Sequence, residues 1–223
     1  MKAESERLHW DRPLLSIIRF PLYYFVAMPV LALVNWLVFG LRIQGRRQLK
    51  NMPKMIVVCN HTHYLDCTMM TLATFPRQLV FFSQKSNFKL PVAGFILRLT
   101  GANAIGSTFS EIKKFENDAV EKVRKGVWLA IFPEGNLSIF NPVLQPFKKG
   151  AFHIACQAGV PVLPMVIVKR SAGDLWHRLT RLPALTLKML PPLYPDPELD
   201  KFVAAERLRD QTFAVMAEAM GKD

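Results

Sequence analysis

Three short apolar runs, Met55–Val58, Trp128–Phe132 and one opening at Val160, are separated by stretches long enough to hold helices. Apolar runs of this length, bounded by polar or turn residues, read as strands buried on both faces. Strands that alternate with helices predict an α/β fold with a largely parallel sheet flanked by helices. Further strands are expected at Gln78–Ser83 and at Leu185–Leu190, the latter ended by Pro191–Pro192. A short apolar segment, Leu90–Thr100, is closed by Gly101. Thr108–Phe109–Ser110–Glu111 reads as a capping box that opens a helix running to Lys125, with Gly126 as its stop. Helices are also expected at Lys149–Ala158, stopped by Gly159, and at Glu198–Met220. A chain of 223 residues is enough for one domain with a substantial core.

What the strands present at their ends bears on function. The first run leads into Cys59–Asn60–His61–Thr62–His63–Tyr64–Leu65–Asp66. Inside one helix, residues five apart lie on different faces. With His61 in the loop after the strand and Asp66 in the first turn of the next helix, the two side chains can meet. That pairing is a general base with an orienting carboxylate, the equipment for deprotonating an alcohol. His63, two positions on, reads as a surface or helix-entry residue. After the second run, Pro133 cannot continue a ladder and Gly135 tolerates a sharp turn. Glu134 is thereby presented at a strand's C-terminal end, where α/β sheets place their ligand crevices. A basic, aromatic loop, Pro146–His153, follows before the third run.

These segments together resemble the glycerolipid acyltransferase family, whose best-known members acylate lysophosphatidic acid. The resemblance lies in four ordered blocks: Asn60–Asp66, the stretch around Gly94 to Ser107, Phe132–Ser138 and Val160–Pro164. It spans roughly residues 40 to 195. It implies an O-acyltransferase with His61 as base and Asp66 as its partner, and a role in acceptor binding for Glu134. Asn60, Gly101, Gly135 and Lys149 complete the expected substrate-binding set. The co-substrate would be the thioester of acyl-carrier protein or coenzyme A, with no bound cofactor. Two positions depart from the family pattern, since Ser107 and Leu137 stand where phosphate-holding arginines are usual. Neither serine nor leucine can replace an arginine fork. A substitute charge could come from Arg98, Lys85, Lys89, Lys148 or Lys149, or the acceptor could be a lyso-aminolipid or another lysolipid without a phosphomonoester. A non-catalytic membrane-binding homologue is the alternative from outside enzymology.

Residues 20 to 41 carry no charge and could span a bilayer by length. Pro21 and Pro29 interrupt a straight span, and arginines flank both ends, contrary to the asymmetry of a single crossing. The expectation is a membrane-associated anchor over residues 1–45, built of two short helices meeting near Pro29, ahead of an acyltransferase domain over 46–223. Both ends would lie on the cytoplasmic face of the cell membrane. A net charge of +12 suits anionic partners such as a membrane surface, a phosphorylated substrate or an acidic carrier protein. No nucleic-acid-binding signature accompanies it. Cys59, Cys67 and Cys156 have no ligand or disulfide spacing and read as reduced core thiols. No His/Cys/Asp cluster at ligand spacing occurs, so no metal is expected.

Overall fold

The computed structural model describes residues 22–50, 52, 54–89, 94, 102–105, 108–171 and 174–221. Seven strands form one sheet in the order β1-β7-β6-β2-β5-β3-β4: β1 (Arg42–Gln44), β2 (Ile56–Cys59), β3 (Leu79–Gln84), β4 (Asn103–Ile105), β5 (Trp128–Ile131), β6 (Val162–Lys169) and β7 (Leu185–Met189). Every neighbouring pair is parallel except β6 and β7. The mostly parallel sheet expected from the sequence is thus the observed one.

Strand β2 shows why the pattern is apolar throughout. Ile56 and Val58 enter one core, with Leu129, Phe152 and Val162. Met55, Val57 and Cys59 enter a second core on the other face, with Met69, Phe81, Leu163 and Leu187. A strand covered on both sides has no solvent face, so the alternation of polar and apolar residues disappears. The first core is covered by α3 (Phe109–Arg124), α4 (Gly150–Ala158) and α6 (Lys201–Met220). Helix α3 begins as expected, with the Thr108 hydroxyl accepting from the Glu111 N–H and Glu111 reaching back to the Thr108 N–H. On the second face lies α2 (Asp66–Thr74), in which every residue is buried. Helix α1 (Met28–Phe39) packs outside it.

Helix α1 differs from the expected anchor. A π-helical turn, Leu22–Ala27, continues into α1, and Pro29 lies in the first turn of α1, where its missing N–H leaves no hydrogen bond unmade. Two helical segments therefore meet beside Pro29, as expected, the first of them π-helical and the second carrying Pro29 in its first turn. Among the described residues no helix is long and apolar enough to cross a membrane. The chain then turns at Gly40 and enters the sheet at once, so β1 falls within the segment expected to be anchor. Buried Asn35 ties α1 to α2, donating to Thr68 Oγ1 at 3.0 Å and to the Leu31 carbonyl at 2.8 Å. Residues 1–21, and the Leu90–Thr100 segment apart from Gly94, lie outside the described residues.

Topology places several chain ends together. Strands β2 and β6 are parallel, with Cys59 level with Met165. Lys169, the end of β6, is level with Leu185, the start of β7. Arg42, the start of β1, is level with Thr186. The histidine loop after β2, helix α5 (Leu175–Thr180) after β6 and the C-terminus of α1 before β1 therefore share one end of the sheet.

Candidate active site

The loop leaving β2 is held by main-chain and side-chain bonds before any chemistry is considered. Asn60 is buried and uses both ends of its amide on one residue of β6: its Nδ2 donates to the Ile167 carbonyl at 2.9 Å and its Oδ1 accepts the Ile167 N–H at 2.8 Å. One residue on, the His61 carbonyl accepts the Ser138 N–H at 3.0 Å, and the Thr62 carbonyl accepts the Phe140 N–H at 3.0 Å. The loop after β5 thus runs alongside the histidine loop and pins it.

Asp66 opens α2 with a fully buried side chain. Its Oδ2 accepts from the Thr62 N–H at 2.6 Å, the His63 N–H at 2.8 Å and Nδ1 of His61 at 2.9 Å. Its Oδ1 accepts from the Thr62 hydroxyl at 3.3 Å. A carboxylate only accepts, so Nδ1 is the protonated nitrogen of His61 and Nε2 carries the free lone pair. The imidazole lies flat on Phe132, ring centroids 4.0 Å apart and planes 15° apart, and its side chain stays 24% exposed. The ring of the base is therefore oriented by Asp66 and Phe132 and stays partly open to solvent.

Glu134 sits behind this loop. Its Oε1 accepts the His61 N–H at 3.1 Å and its Oε2 accepts the Gln145 N–H at 3.4 Å. Burial raises its carboxyl above the ordinary value, and the two N–H donors pull the other way. Both oxygens of Glu134 face backbone donors, which gives it a positional role beside the acceptor-binding one expected from the sequence. Asn60 turns both ends of its amide to Ile167 of β6, and its Oδ1 also accepts from the Cys59 thiol at 3.6 Å. Gly135 adopts φ +75°, and a Cβ there would fall 2.9 Å from Cδ of Lys148 and nearer still to its ammonium. The Lys148 side chain therefore lies over Gly135, while the main-chain N–H of Lys148 donates to the Pro133 carbonyl at 2.8 Å. Lys149 turns the other way and pairs with Glu206 on α6, so of the two lysines it is Lys148 that lies over the loop after β5. Gly101, Arg98 and Ser107 lie outside the described residues.

His63 is half-buried at the entry to α2. Its ring stacks on Phe140 at 5.5 Å, meets Phe39 edge-on at 4.9 Å, and accepts the Leu65 N–H on Nδ1 at 3.1 Å. Burial lowers its pKa, so it stands as a neutral wedge between α1 and the loop. The two flanking cysteines are buried thiols. Burial, then the charge of Asp66, raises Cys59 well above the ordinary thiol value and pushes Cys67 up to about 12. Both are buried as core thiols, in keeping with the packing role expected of them. Phe132, Phe140 and the Gln145 N–H were not anticipated as site groups, though Phe132 belongs to the third sequence block.

Residues 40–168 match the family model described as Acyltransferase. A 1-acyl-sn-glycerol-3-phosphate acyltransferase of Salmonella typhimurium is 32% identical over 163 residues, covering 70% of this chain and 64% of that protein. The human 1-acyl-sn-glycerol-3-phosphate acyltransferase beta is 31% identical over 148 residues, 61% of this chain and 52% of that protein. The chain spans about half the length of the curated relatives it matches. The crystal structure of the 1-acyl-sn-glycerophosphate (LPA) acyltransferase PlsC from Thermotoga maritima superposes with a TM-score of 0.60 at 24% identity. It covers 84% of this chain and 74% of that one, a likeness of fold.

Proposed function

The chain belongs to the acyltransferase family, and on that premise we propose that it moves a fatty acyl group from an acyl thioester to the free hydroxyl of a lysolipid, 1-acylglycerol-3-phosphate before others. The observation that carries this reading is the contact between His61 Nδ1 and the buried Asp66 at 2.9 Å, on a ring still open to solvent.

In the proposed reaction Nε2 of His61 takes the acceptor's hydroxyl proton as its oxygen bonds to the thioester carbonyl carbon. Asp66 stabilises the resulting imidazolium through Nδ1. The tetrahedral adduct then collapses, the carbon–sulfur bond breaks, and the imidazolium returns its proton to the departing thiolate. The products are an ester and a free thiol. The donor is the thioester of acyl-carrier protein or coenzyme A, and the basic surface suits either one. The reaction takes place on the cytoplasmic face of a membrane, because the lysolipid resides in the bilayer while the thioester arrives from solution. The π-helical turn and α1 suit that site, with Phe25, Val30, Leu33, Trp36 and Leu37 all exposed.

Lys148 is the group that answers the missing arginines. It lies over Gly135, two residues before Leu137, and its ammonium suits a phosphomonoester as a point charge. The second reading, a lyso-aminolipid or other acceptor without a phosphomonoester, draws on Leu137 itself, which offers no fork. The deciding experiment measures acyl transfer by purified protein in lipid to a panel of lysolipids, beside His61→Ala. Turnover of lysophosphatidate that the substitution abolishes supports the first reading. Turnover confined to lysolipids lacking a phosphomonoester supports the second, and transfer that survives His61→Ala defeats both.

A further inference from the structure

Helix α5 and the turn after it expose an unusual set of side chains for so short an element. Leu175 and Leu179 are 63% and 74% exposed and, four residues apart, lie on one face; Leu182 follows, also exposed. The helix is not loosely held. Asp174 caps it by accepting the Trp176 N–H at 2.9 Å, and pairs with Arg170 at 2.9 Å and Arg42 at 3.4 Å. Arg170 in turn donates to the Gly40 carbonyl at 2.9 Å, which binds the base of α5 to the end of α1. Trp176 points inward, packs against Gly40, and meets Trp36 of α1 with ring centroids 5.4 Å apart. The leucines thus stand outward from a rigid base beside the exposed apolar residues of α1.

In the two chain segments that build this corner, the exposed charge has one sign. Residues 22–65 contain no aspartate or glutamate. Between Lys169 and Lys188 the one acid is Asp174, already held by two arginines. Lys169, Arg178 and Arg181 are exposed around the leucines. Apolar residues ringed by cations and free of exposed acids match the acyl region and headgroups of an anionic bilayer. An acidic carrier protein would satisfy the cations but would set charge against the leucines. The same end of the sheet carries the His61 loop, so a bilayer docked here delivers a lipid where the base stands.

We propose that α5, with Leu182, is a second bilayer contact that works with α1 to seat the active-site end of the sheet on an anionic membrane. The proposal rests on the membrane reading above, but not on catalysis. The test is flotation of the full chain with phosphatidylglycerol-containing vesicles and with phosphatidylcholine vesicles. Leu175→Ser/Leu179→Ser is expected to lower partitioning about tenfold or more on anionic vesicles, since two exposed leucines lose their place in the acyl region. Arg178→Gln/Arg181→Gln is expected to lower it on the anionic vesicles alone. An unchanged melting temperature shows that the variants fold, and His61→Ala is expected to float like the parent. If the leucine variant floats like the parent while Leu33→Ser/Leu37→Ser in α1 does not, α5 is no bilayer contact. If the leucine variant instead loses self-association, or use of acyl-carrier thioester, with flotation intact, a second copy or the carrier covers the patch and the proposal falls. If the parent fails to float, this proposal and the membrane reading fall together, while acyl transfer to a soluble lysolipid stands or falls separately.

Discussion

The carboxylate of Glu134 accepts the main-chain N–H of His61 at 3.1 Å, joining residues 73 positions apart. The bond fixes the backbone of the base and leaves its ring free for Asp66 and the acceptor. Glu134→Gln keeps one accepting oxygen but turns an amide NH2 toward a backbone donor, so one of its two bonds is lost. A lost buried bond of this type costs about 1–3 kcal/mol. The expected outcome is a fall in kcat with little change in KM, because the bond to the His61 N–H positions the base. A rise in KM with kcat intact, measured with lysophosphatidate, would make acceptor binding the main role of Glu134.

The same residue gives a pH signature. Burial raises the Glu134 carboxyl above its ordinary value of 4.5. A raised acid binds more protons folded than unfolded, so its contribution to stability is full below the ordinary value and is lost as pH rises through the folded one. Asp174, Glu206 and Asp210, held low by Arg170, Lys149 and Arg209, act in the opposite sense in the acid range. The difference between parent and Glu134→Gln melting temperatures isolates the Glu134 contribution. That difference is expected to shift against the parent on going up from pH 4.5 and then level off. A difference that stays flat with pH shows that the folded carboxyl titrates at its ordinary value.

The contact between His61 and Asp66 predicts distinct effects for the two residues. His61→Ala removes the base and should lower kcat about 10²–10⁴-fold. Asp66→Asn leaves the side chain's shape but removes the charge that stabilises the imidazolium, so one neutral carbonyl oxygen must serve the Thr62, His63 and His61 donors while the NH2 turns to the Thr62 hydroxyl. The expected loss in kcat is about 10⁴-fold, with a lowered melting temperature as well, since Asp66 is fully buried. Single-turnover transfer and thermal unfolding separate the two effects. Asp66→Asn with parental kcat would mean that His61 does not act as the base.

Much of this site was legible in the sequence because it is local. His61 and Asp66 are five residues apart, and a strand followed by a helix is enough to bring them together. Asp66 is also the first residue of α2, where its carboxylate caps the loop N–H groups. The partners of Asn60 and Glu134 were not legible, because Ile167 and His61 come to them through sheet order. Lys148 and Lys149 cannot be told apart by composition. They diverge because α4 begins at Gly150, which sends one side chain back over Gly135 and the other to Glu206. Strands β1 and β4 and helix α5 are too short to show a period, and Arg42–Ile43–Gln44 has the polarity of a loop.

Lys148 yields the sharpest test of acceptor chemistry. Loss of one charge-assisted bond costs about 1.5–3 kcal/mol, which corresponds to a rise in KM of roughly 10- to 100-fold. Lys148→Gln is expected to show that rise for a phosphomonoester acceptor, with kcat nearly unchanged. Gly135→Ala should reproduce it, because the new Cβ displaces the lysine and strains a backbone at φ +75°. Lys149→Gln should leave the kinetics unchanged, since its exposed pair with Glu206 is worth about 0–1 kcal/mol. Kinetics of the three variants on lysophosphatidate and on a lysophosphodiester decide the matter. An equal effect of Lys148→Gln on both acceptors would mean that the ammonium serves the loop and not the phosphate.

Asn60 makes the last prediction, which concerns stability and its link to the site. Asn60→Asp is nearly the same size, yet its carboxylate cannot donate to the Ile167 carbonyl and leaves a buried charge beside it. One buried acceptor loses its partner at a cost of about 1–3 kcal/mol, with the burial of the charge added to it. Asn60→Asp is therefore expected to melt lower than Asn60→Ala, which leaves two backbone groups unpaired but introduces no charge. Both variants should also lose kcat, because Asn60 immediately precedes His61 and fixes where the loop leaves the sheet. Denaturant unfolding ranks the two variants. If Asn60→Ala instead raises KM while stability and kcat hold, the amide faces the acceptor during catalysis and the bond to Ile167 must open when substrate binds.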